Sequence, residues 1–117
     1  MRKFSLVYIT APSKKEAKRI CQTLLSQRLA ACCNIFKIDS MYWWTPIHPP
    51  PSRQRRAPGK IEKSQEFGIF VKTKKSLIEK IIKRVKQIHS YSTPCIISFN
   101  IEKGNKDFLK WIDKETR

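Results

Sequence analysis

The chain begins with an alternating pattern of side chains that is typical of a β-strand. Apolar residues occupy both sets of alternating positions between Phe4 and Thr10, which indicates an interior strand, and Pro12 ends it. Ser13 is followed three residues later by Glu16. This is the spacing of a capping box, in which the serine oxygen accepts from the Glu16 amide and the glutamate side chain reaches back. A helix is therefore predicted to follow, with an apolar stripe made of Ala17, Ile20, Cys21, Leu24 and Leu25.

The longest run that favours an extended chain covers residues 30–44 and ends in three aromatic residues. At about 3.3 Å per residue it is longer than one internal strand of a small domain requires. A second extended run covers residues 60–74, and two such runs around one loop predict an antiparallel hairpin. Soluble proteins usually cover exposed strand ends and large aromatic surfaces. The tip of the first strand is therefore predicted to be an oligomer interface, with Trp43 on the face opposite Tyr42 and Trp44, and with Met41 beside them.

The second half of the chain repeats the change from helical to strand periodicity. Apolar residues recur at helical spacing over residues 77–88, alternate over residues 95–101, and return at helical spacing after Asn105, the predicted cap of a last helix. The apolar side of that helix is predicted to contain Phe108, Leu109, Trp111 and Ile112. The order βαββαβ plus a C-terminal helix predicts an α+β, ferredoxin-like split βαβ fold with an antiparallel sheet. Two helices cover one face of such a sheet, so the other face needs the last helix, another subunit or a ligand.

Residues 45–58 interrupt the hairpin with a different composition. They contain five of the seven prolines and three arginines. Proline removes amide donors and fixes φ, so this segment is predicted to be a loop. Its three successive prolines favour a short polyproline II turn, which could recruit a proline-reading domain. The alternative is a mobile insertion that has no partner.

Composition limits the remaining choices. The 117 residues indicate a single domain spanning 1–117. The net charge of +16 implies a non-specific attraction to polyanions. No apolar run approaches the ~20 residues that a membrane span requires. The short N-terminal apolar run is typical of a strand and not of a signal peptide. A cytoplasmic location is therefore predicted. The four cysteines are then reduced, and their spacing matches no zinc pattern.

The same topology occurs in RNA-recognition motifs, which stack bases on aromatic residues of the first and third strands. Residues 66–72 approach the third-strand pattern of those motifs. However, Phe67 and Phe70 are three residues apart and are expected to point to opposite faces of the sheet, and Glu66 would repel phosphate. A basic nucleic-acid-binding module is therefore the alternative function, and not the favoured one.

Seven short motifs, in order along almost the whole chain, together resemble the CutA divalent-cation-tolerance family. They are ITAP at 9–12, LAACCNI at 29–35, SMYWW at 40–44, GKIE at 59–62, VKT at 71–73, HSYSTP at 89–94 and, after Gly104, FLKWI at 108–112. The resemblance implies a homotrimer that is similar in build to PII signalling proteins, with a role in the response to divalent metal ions. It also implies that the long second and third strands pack and pair between subunits.

The resemblance is incomplete at two places. Family members usually have a tight turn where this chain has residues 45–58. In some bacterial members a Cys at the end of the first strand, a His and a Glu have been proposed as copper ligands. This chain has Ile9 at the first of those positions, keeps His89, and has Cys95 at the third. The resemblance therefore implies a metal site formed by His89 and Cys95.

An imidazole and a thiolate suit copper or another soft or borderline divalent ion. A closed zinc site requires four ligands, and these two residues supply only two. The alternative role for His89 is that of a residue at a helix end, whose ring interacts with the last carbonyls of that helix. No nucleophile is paired with a base and an orienting group, so no enzyme activity is expected.

Overall fold

A computed structural model of the chain describes residues 3–44 and 59–117. Within these ranges four strands and three helices follow one another in the predicted order, which is thereby confirmed. They are β1 (Phe4–Ala11), α1 (Lys14–Ser26), β2 (Cys32–Trp44), β3 (Lys60–Lys74), α2 (Ile78–Ile88), β4 (Ile96–Ile101) and α3 (Lys106–Glu115), with a 3-10 turn at Lys75–Leu77 before α2. The predicted insertion at 45–58 lies outside the described residues.

The four strands form an antiparallel sheet in the order β2-β3-β1-β4. Residues that are paired across the strands point to the same face, so the register divides the sheet into two surfaces. Buried and partly buried positions alternate along β1, and the buried ones lie beneath α1 and α2. The apolar core therefore fills the space between the two helices and this helix-covered face. Its fully buried strand members include Val7, Ile9, Ile69 and Val71.

Helix α1 begins as the sequence predicts, but its capping box is only half formed. The Ser13 hydroxyl accepts from the Glu16 amide at 3.1 Å. The Glu16 carboxylate does not turn back to the cap. It accepts hydrogen bonds from Ser90, which lies just after the C-terminal end of α2. The predicted stripe is also wrong at Leu25, which is 39% exposed. Leu25 lies one helical step beyond Leu24, at the solvent edge of the stripe.

The hairpin of β2 and β3 is the longest feature of the molecule. Its register runs from Cys32 opposite Lys72 to Trp44 opposite Lys60. Alternation along β2 therefore places Trp43 on the side of the helices and the two neighbouring aromatic residues on the other side, as predicted. The described residues measure 52 Å along their longest axis and 24 Å along their shortest.

The last helix covers one end of the sheet face opposite α1 and α2. Lys74 at the end of β3 bridges to Asp113 of α3 at 3.4 Å, and Ile112 is fully buried. The predicted apolar side of α3 is only partly covered, since Phe108 and Trp111 are 38% and 40% exposed. Asn105 occupies the cap position but its side chain makes no capping hydrogen bond. Across residues 3–44 and 59–117, no helix has both the length and the apolar character to span a membrane.

Candidate functional site

The imidazole of His89 joins the end of α2 to the end of β1. Its side chain is completely buried. The Nε2 atom lies 2.8 Å from the carbonyl oxygen of Thr10, and Nδ1 accepts from the Tyr91 amide at 3.0 Å. An amide can only donate, so Nδ1 is the acceptor and Nε2 carries the proton. Both ring nitrogens therefore have partners outside α2, so the alternative in which the ring binds the last carbonyls of that helix is wrong.

Glu16 completes this junction from α1. Its carboxylate accepts from the amide and the hydroxyl of Ser90, both at 2.9 Å, and lies 3.4 Å from His89 Nδ1. Burial alone would raise the pKa of this carboxyl. The two hydrogen bonds from Ser90, with His89 and Arg19 nearby, outweigh burial and lower the pKa. The junction is therefore built around a carboxylate that folding keeps ionised.

The lowered pKa makes part of the stability depend on pH. The contribution is present above the ordinary carboxyl pKa of 4.5 and is lost as pH falls through the lower folded value. We expect Glu16→Gln to reduce the free energy of unfolding by about 2 kcal/mol at pH 7, as for a charge-assisted hydrogen-bond pair. The difference from wild type should shrink as the solution is acidified below pH 4.5. Denaturant unfolding at several pH values and one protein concentration measures it.

The matched control for this prediction is Glu79→Gln, which changes an exposed glutamate in the first turn of α2. That variant should unfold within about 0.5 kcal/mol of wild type at every pH, as is usual for surface substitutions. A difference between Glu16→Gln and wild type that stayed constant from pH 7 to pH 3 would show that ionisation of Glu16 is not its source.

Tyr91 links this junction to Glu66, which lies on the opposite face of the sheet. Its hydroxyl donates to Glu66 Oε2 at 2.8 Å, and Glu66 is only 8% exposed. Burial raises the pKa of Tyr91, and the hydrogen bond to the Glu66 carboxylate raises it further. Burial, followed by the charge of Glu66, likewise raises the pKa of the Cys95 thiol. Both groups therefore stay protonated around this buried carboxylate.

The two residues of the predicted metal site occupy different environments. His89 has a partner at each ring nitrogen, so it would have to give up one of them to bind a metal ion. Cys95 is a partly buried free thiol next to β4. Within residues 3–44 and 59–117, no group of three or more His, Cys, Asp or Glu side chains is placed to hold a metal ion. The metal role of His89 and Cys95 stays a prediction.

The sheet face away from α1 and α2, which we call the open face, carries an aromatic cluster at its centre. Tyr8 of β1, Phe36 of β2 and Phe70 of β3 have ring centroids 4.8 to 6.4 Å apart. Gly68 makes room for them, since a Cβ at that position would lie 2.6 Å from the Phe36 ring. On β4 the open face shows Ile97 and Phe99, which are 49% and 51% exposed. The centre of the open face and its β4 edge are therefore apolar and partly exposed.

The predicted interface residues at the hairpin tip are all exposed. Met41 and Trp43 are 66% and 71% exposed, and Tyr42 and Trp44 are 40% and 47% exposed. Ile61, opposite Trp43, is 54% exposed and extends the patch onto β3. Contiguous apolar patches of this kind mark sites of association. The tip and the open face are therefore the exposed surfaces with which the interface prediction is concerned.

The strand register also shows on which faces of the sheet Phe67 and Phe70 lie, the point on which the comparison with RNA-recognition motifs depends. Phe70 pairs with Tyr8 on the open face, whereas Phe67 pairs with the buried Ala11 and packs against the core. The two phenylalanines therefore lie on opposite faces, as their spacing predicts. The Tyr8 and Phe70 rings pack on each other at 5.8 Å in a tilted arrangement.

Comparison with known sequences decides the family. A sequence model described as CutA1 divalent ion tolerance protein matches residues 5–115, almost the full length of the chain. The chain belongs to the CutA1 family. No observation on this CutA1 chain supports the nucleic-acid-binding alternative.

Relatives of this CutA1 chain match it over almost the full length of both chains. The divalent-cation tolerance protein CutA of Archaeoglobus fulgidus is 46% identical over 94% of this chain and 95% of its own length. The protein of the same name from Pyrococcus horikoshii is 36% identical over 96% and 97%. The solved structure of the Archaeoglobus fulgidus protein, whose name there includes the word periplasmic, superimposes with a TM-score of 0.85 at 44% identity. It covers 97% of this chain and 99% of that one.

Several contacts of this CutA1 chain were not predicted from the sequence. The link from Glu16 to Ser90 and the link from Tyr91 to Glu66 join residues that are far apart in the sequence. Glu66 carries one usable signal, since it lies two residues before Gly68 and four before Phe70 and so shares their face. The pairing of Glu66 with Tyr91 could not be predicted from the sequence, because Tyr91 lies in a segment that has no hydrophobic periodicity.

Proposed function

We propose that this chain acts as a non-enzymatic homotrimer that confers tolerance to divalent metal ions. The observation that carries the proposal is the match to the CutA1 family over residues 5–115. Relatives that match nearly end to end are named divalent-cation tolerance proteins. None of these names describes a catalytic activity, which agrees with the non-enzymatic part of the proposal.

The exposed surfaces support assembly with further copies of the same chain. The open face presents Ile97, Phe99 and the aromatic cluster, and the hairpin tip presents two largely exposed tryptophans. Strand β2 is also an edge strand of the sheet, with backbone groups available for pairing. Closed rotational symmetry lets each copy cover the apolar surface of its neighbour. A trimer of the kind implied by the sequence resemblance would cover both surfaces.

Metal binding by this assembly, with His89 and Cys95 as ligands, completes the proposal. A thiol and an imidazole favour copper or zinc over magnesium or calcium. A neighbouring subunit would have to supply further ligands, since two are too few for a closed site. Titration of copper or zinc into wild type and into His89→Ala decides the matter, and equal affinities would remove His89 as a ligand.

Growth of cells under metal stress tests the function directly. A strain that lacks its own family member is complemented with this chain or with an empty vector and grown in rising concentrations of copper, zinc or cobalt. We expect the chain to raise the inhibitory concentration of at least one divalent ion. A Phe99→Asp variant made at the same level should lose this effect if assembly is required. Identical growth of the vector and wild-type strains in every metal would contradict the proposed function.

A further inference from the structure

A cysteine and a lysine lie opposite each other where β2 begins. Cys32 is the first residue of β2, and the strand register pairs it with Lys72 of β3. The Nζ atom of Lys72 lies 3.7 Å from the Cys32 sulfur, which accepts its hydrogen bond. Cys32 is a free thiol, and both residues are half-buried. The fold therefore brings a thiol and a lysine nitrogen into direct contact.

The side chain of Asn34 holds this pair in place. Its Oδ1 atom accepts a hydrogen bond from Lys72 Nζ. The same atom lies 3.9 Å from the Cys32 sulfur, which donates to it. Asn34 follows Cys32 by two residues and therefore shares its face of β2. The thiol, the lysine nitrogen and the amide oxygen contact one another, so the nitrogen stays beside the sulfur.

Helix α3 approaches this group from the open face. The ring of Phe108 lies with its centroid 5.8 Å from Lys72 Nζ, a distance at which a cation and an aromatic ring attract each other. The adjacent Cys33 is on the other face of the sheet, where it packs against the apolar core. The register therefore selects Cys32, and not its neighbour, as the partner of the lysine.

We propose that dioxygen converts Cys32 and Lys72 into a covalent N–O–S bridge, in which one oxygen atom joins Nζ to the sulfur. One thiol, one ammonium group and one dioxygen molecule give the bridge, one water molecule and one proton. The S–H bond and two N–H bonds break, and one S–O bond and one N–O bond form. Sulfur and nitrogen each lose two electrons, and dioxygen takes all four. The sulfur reaches the oxidation level of a sulfenic acid, from which cysteine is still recovered by reduction.

The bridge ties the start of β2 to β3 and removes the positive charge of Lys72. It closes the loop between residues 32 and 72, and a disulfide that closes a loop stabilises a fold mainly by restricting the unfolded chain. Oxidised protein is therefore expected to unfold at a higher denaturant concentration than reduced protein. The bridge needs only the fold of one chain, so it goes beyond the proposed tolerance function and does not depend on it.

The test is mass spectrometry of wild-type protein kept in air-saturated buffer, with an anaerobic, reduced sample as the reference. A bridged chain is heavier than the reduced chain by one oxygen atom and lighter by two hydrogen atoms. A disulfide loses hydrogen only, and a sulfenic acid gains oxygen only. After digestion with trypsin we expect residues 29–37 joined to residues 64–74, because the bridged Lys72 is no longer cleaved. Dithiothreitol should release the two peptides.

Four variants assign the bridge to its two residues. Lys72→Arg keeps the positive charge but removes the primary amine, and Cys32→Ala removes the thiol. We expect neither variant to form the bridge. The matched controls, Lys74→Arg and Cys33→Ala, change the next lysine and the next cysteine along the chain and should form it as wild type does.

Three results would overturn the proposal. They are a wild-type chain that keeps its reduced mass in air-saturated buffer, a linkage through Cys33 or another lysine, and a bridge mass that persists in Lys72→Arg. The wild-type measurement does not depend on the folding of any variant. A chain that formed no bridge could still confer tolerance in the growth assay, so the two proposals fail separately.

Discussion

Phe99→Asp is expected to convert the assembled protein to monomers at micromolar concentration. Phe99 lies on β4 opposite Leu6 and is 51% exposed on the open face of a single chain. If further copies cover this face, the substitution places a carboxylate in each apolar contact, which costs several kcal/mol. A loss of about 4 kcal/mol per contact weakens association about 1,000-fold. Light scattering after size-exclusion chromatography measures the change in mass.

The control for that experiment is Leu25→Asp on the other side of the molecule. Leu25 is also a partly exposed apolar residue, at 39%, but it belongs to the outer edge of α1. We expect this variant to keep the mass of wild type. Equal masses for Phe99→Asp and wild type would show that the open face is not covered by other copies, and dissociation of both variants would show that the effect is not specific to that face.

His89→Ala is expected to lower the free energy of unfolding by about 3 kcal/mol. The substitution leaves the Thr10 carbonyl and the Tyr91 amide without their partner, and it empties the space of a completely buried ring. A buried polar group without a hydrogen bond costs about 1–3 kcal/mol, and a cavity adds to that cost. Denaturant unfolding at a fixed protein concentration measures the difference.

Gln87→Ala, two residues earlier, is the control for His89→Ala. Gln87 is exposed on α2 and accepts a hydrogen bond from Arg84 at 3.1 Å. Its removal should cost less than about 0.5 kcal/mol, in line with other surface substitutions. If His89→Ala cost no more than Gln87→Ala, the imidazole would not be the link between α2 and β1 that its two hydrogen bonds indicate.

Local patterns were sufficient to predict the elements of this fold. The alternation in β3 gave its bounds as residues 60–74, which the structure confirms. The Ser13 cap likewise depends on residues three apart. The end of α1 left no such signal, because the chain reverses at Arg28 with a φ of 58°, a conformation for which glycine is the usual residue. Strand β2 consequently begins at Cys32, two residues later than the predicted extended run.

The contacts of the candidate site could not be predicted, because they depend on where distant segments meet. The capping motif accounts for Glu16 locally, but the carboxylate goes to Ser90, which offers two donors at once. His89 was recognised as a candidate residue, while its partner Thr10 follows from the way α2 ends over β1.

The native mass of the wild-type protein tests the central claim most directly. A single species of three times the 13.8 kDa chain mass is expected at micromolar concentration. Its mass should not change at high salt, because apolar surfaces and strand pairing are less sensitive to ionic screening than contacts between exposed charges. A monomer of 13.8 kDa under the same conditions would contradict the account, since it would leave the hairpin tip and the open face in water.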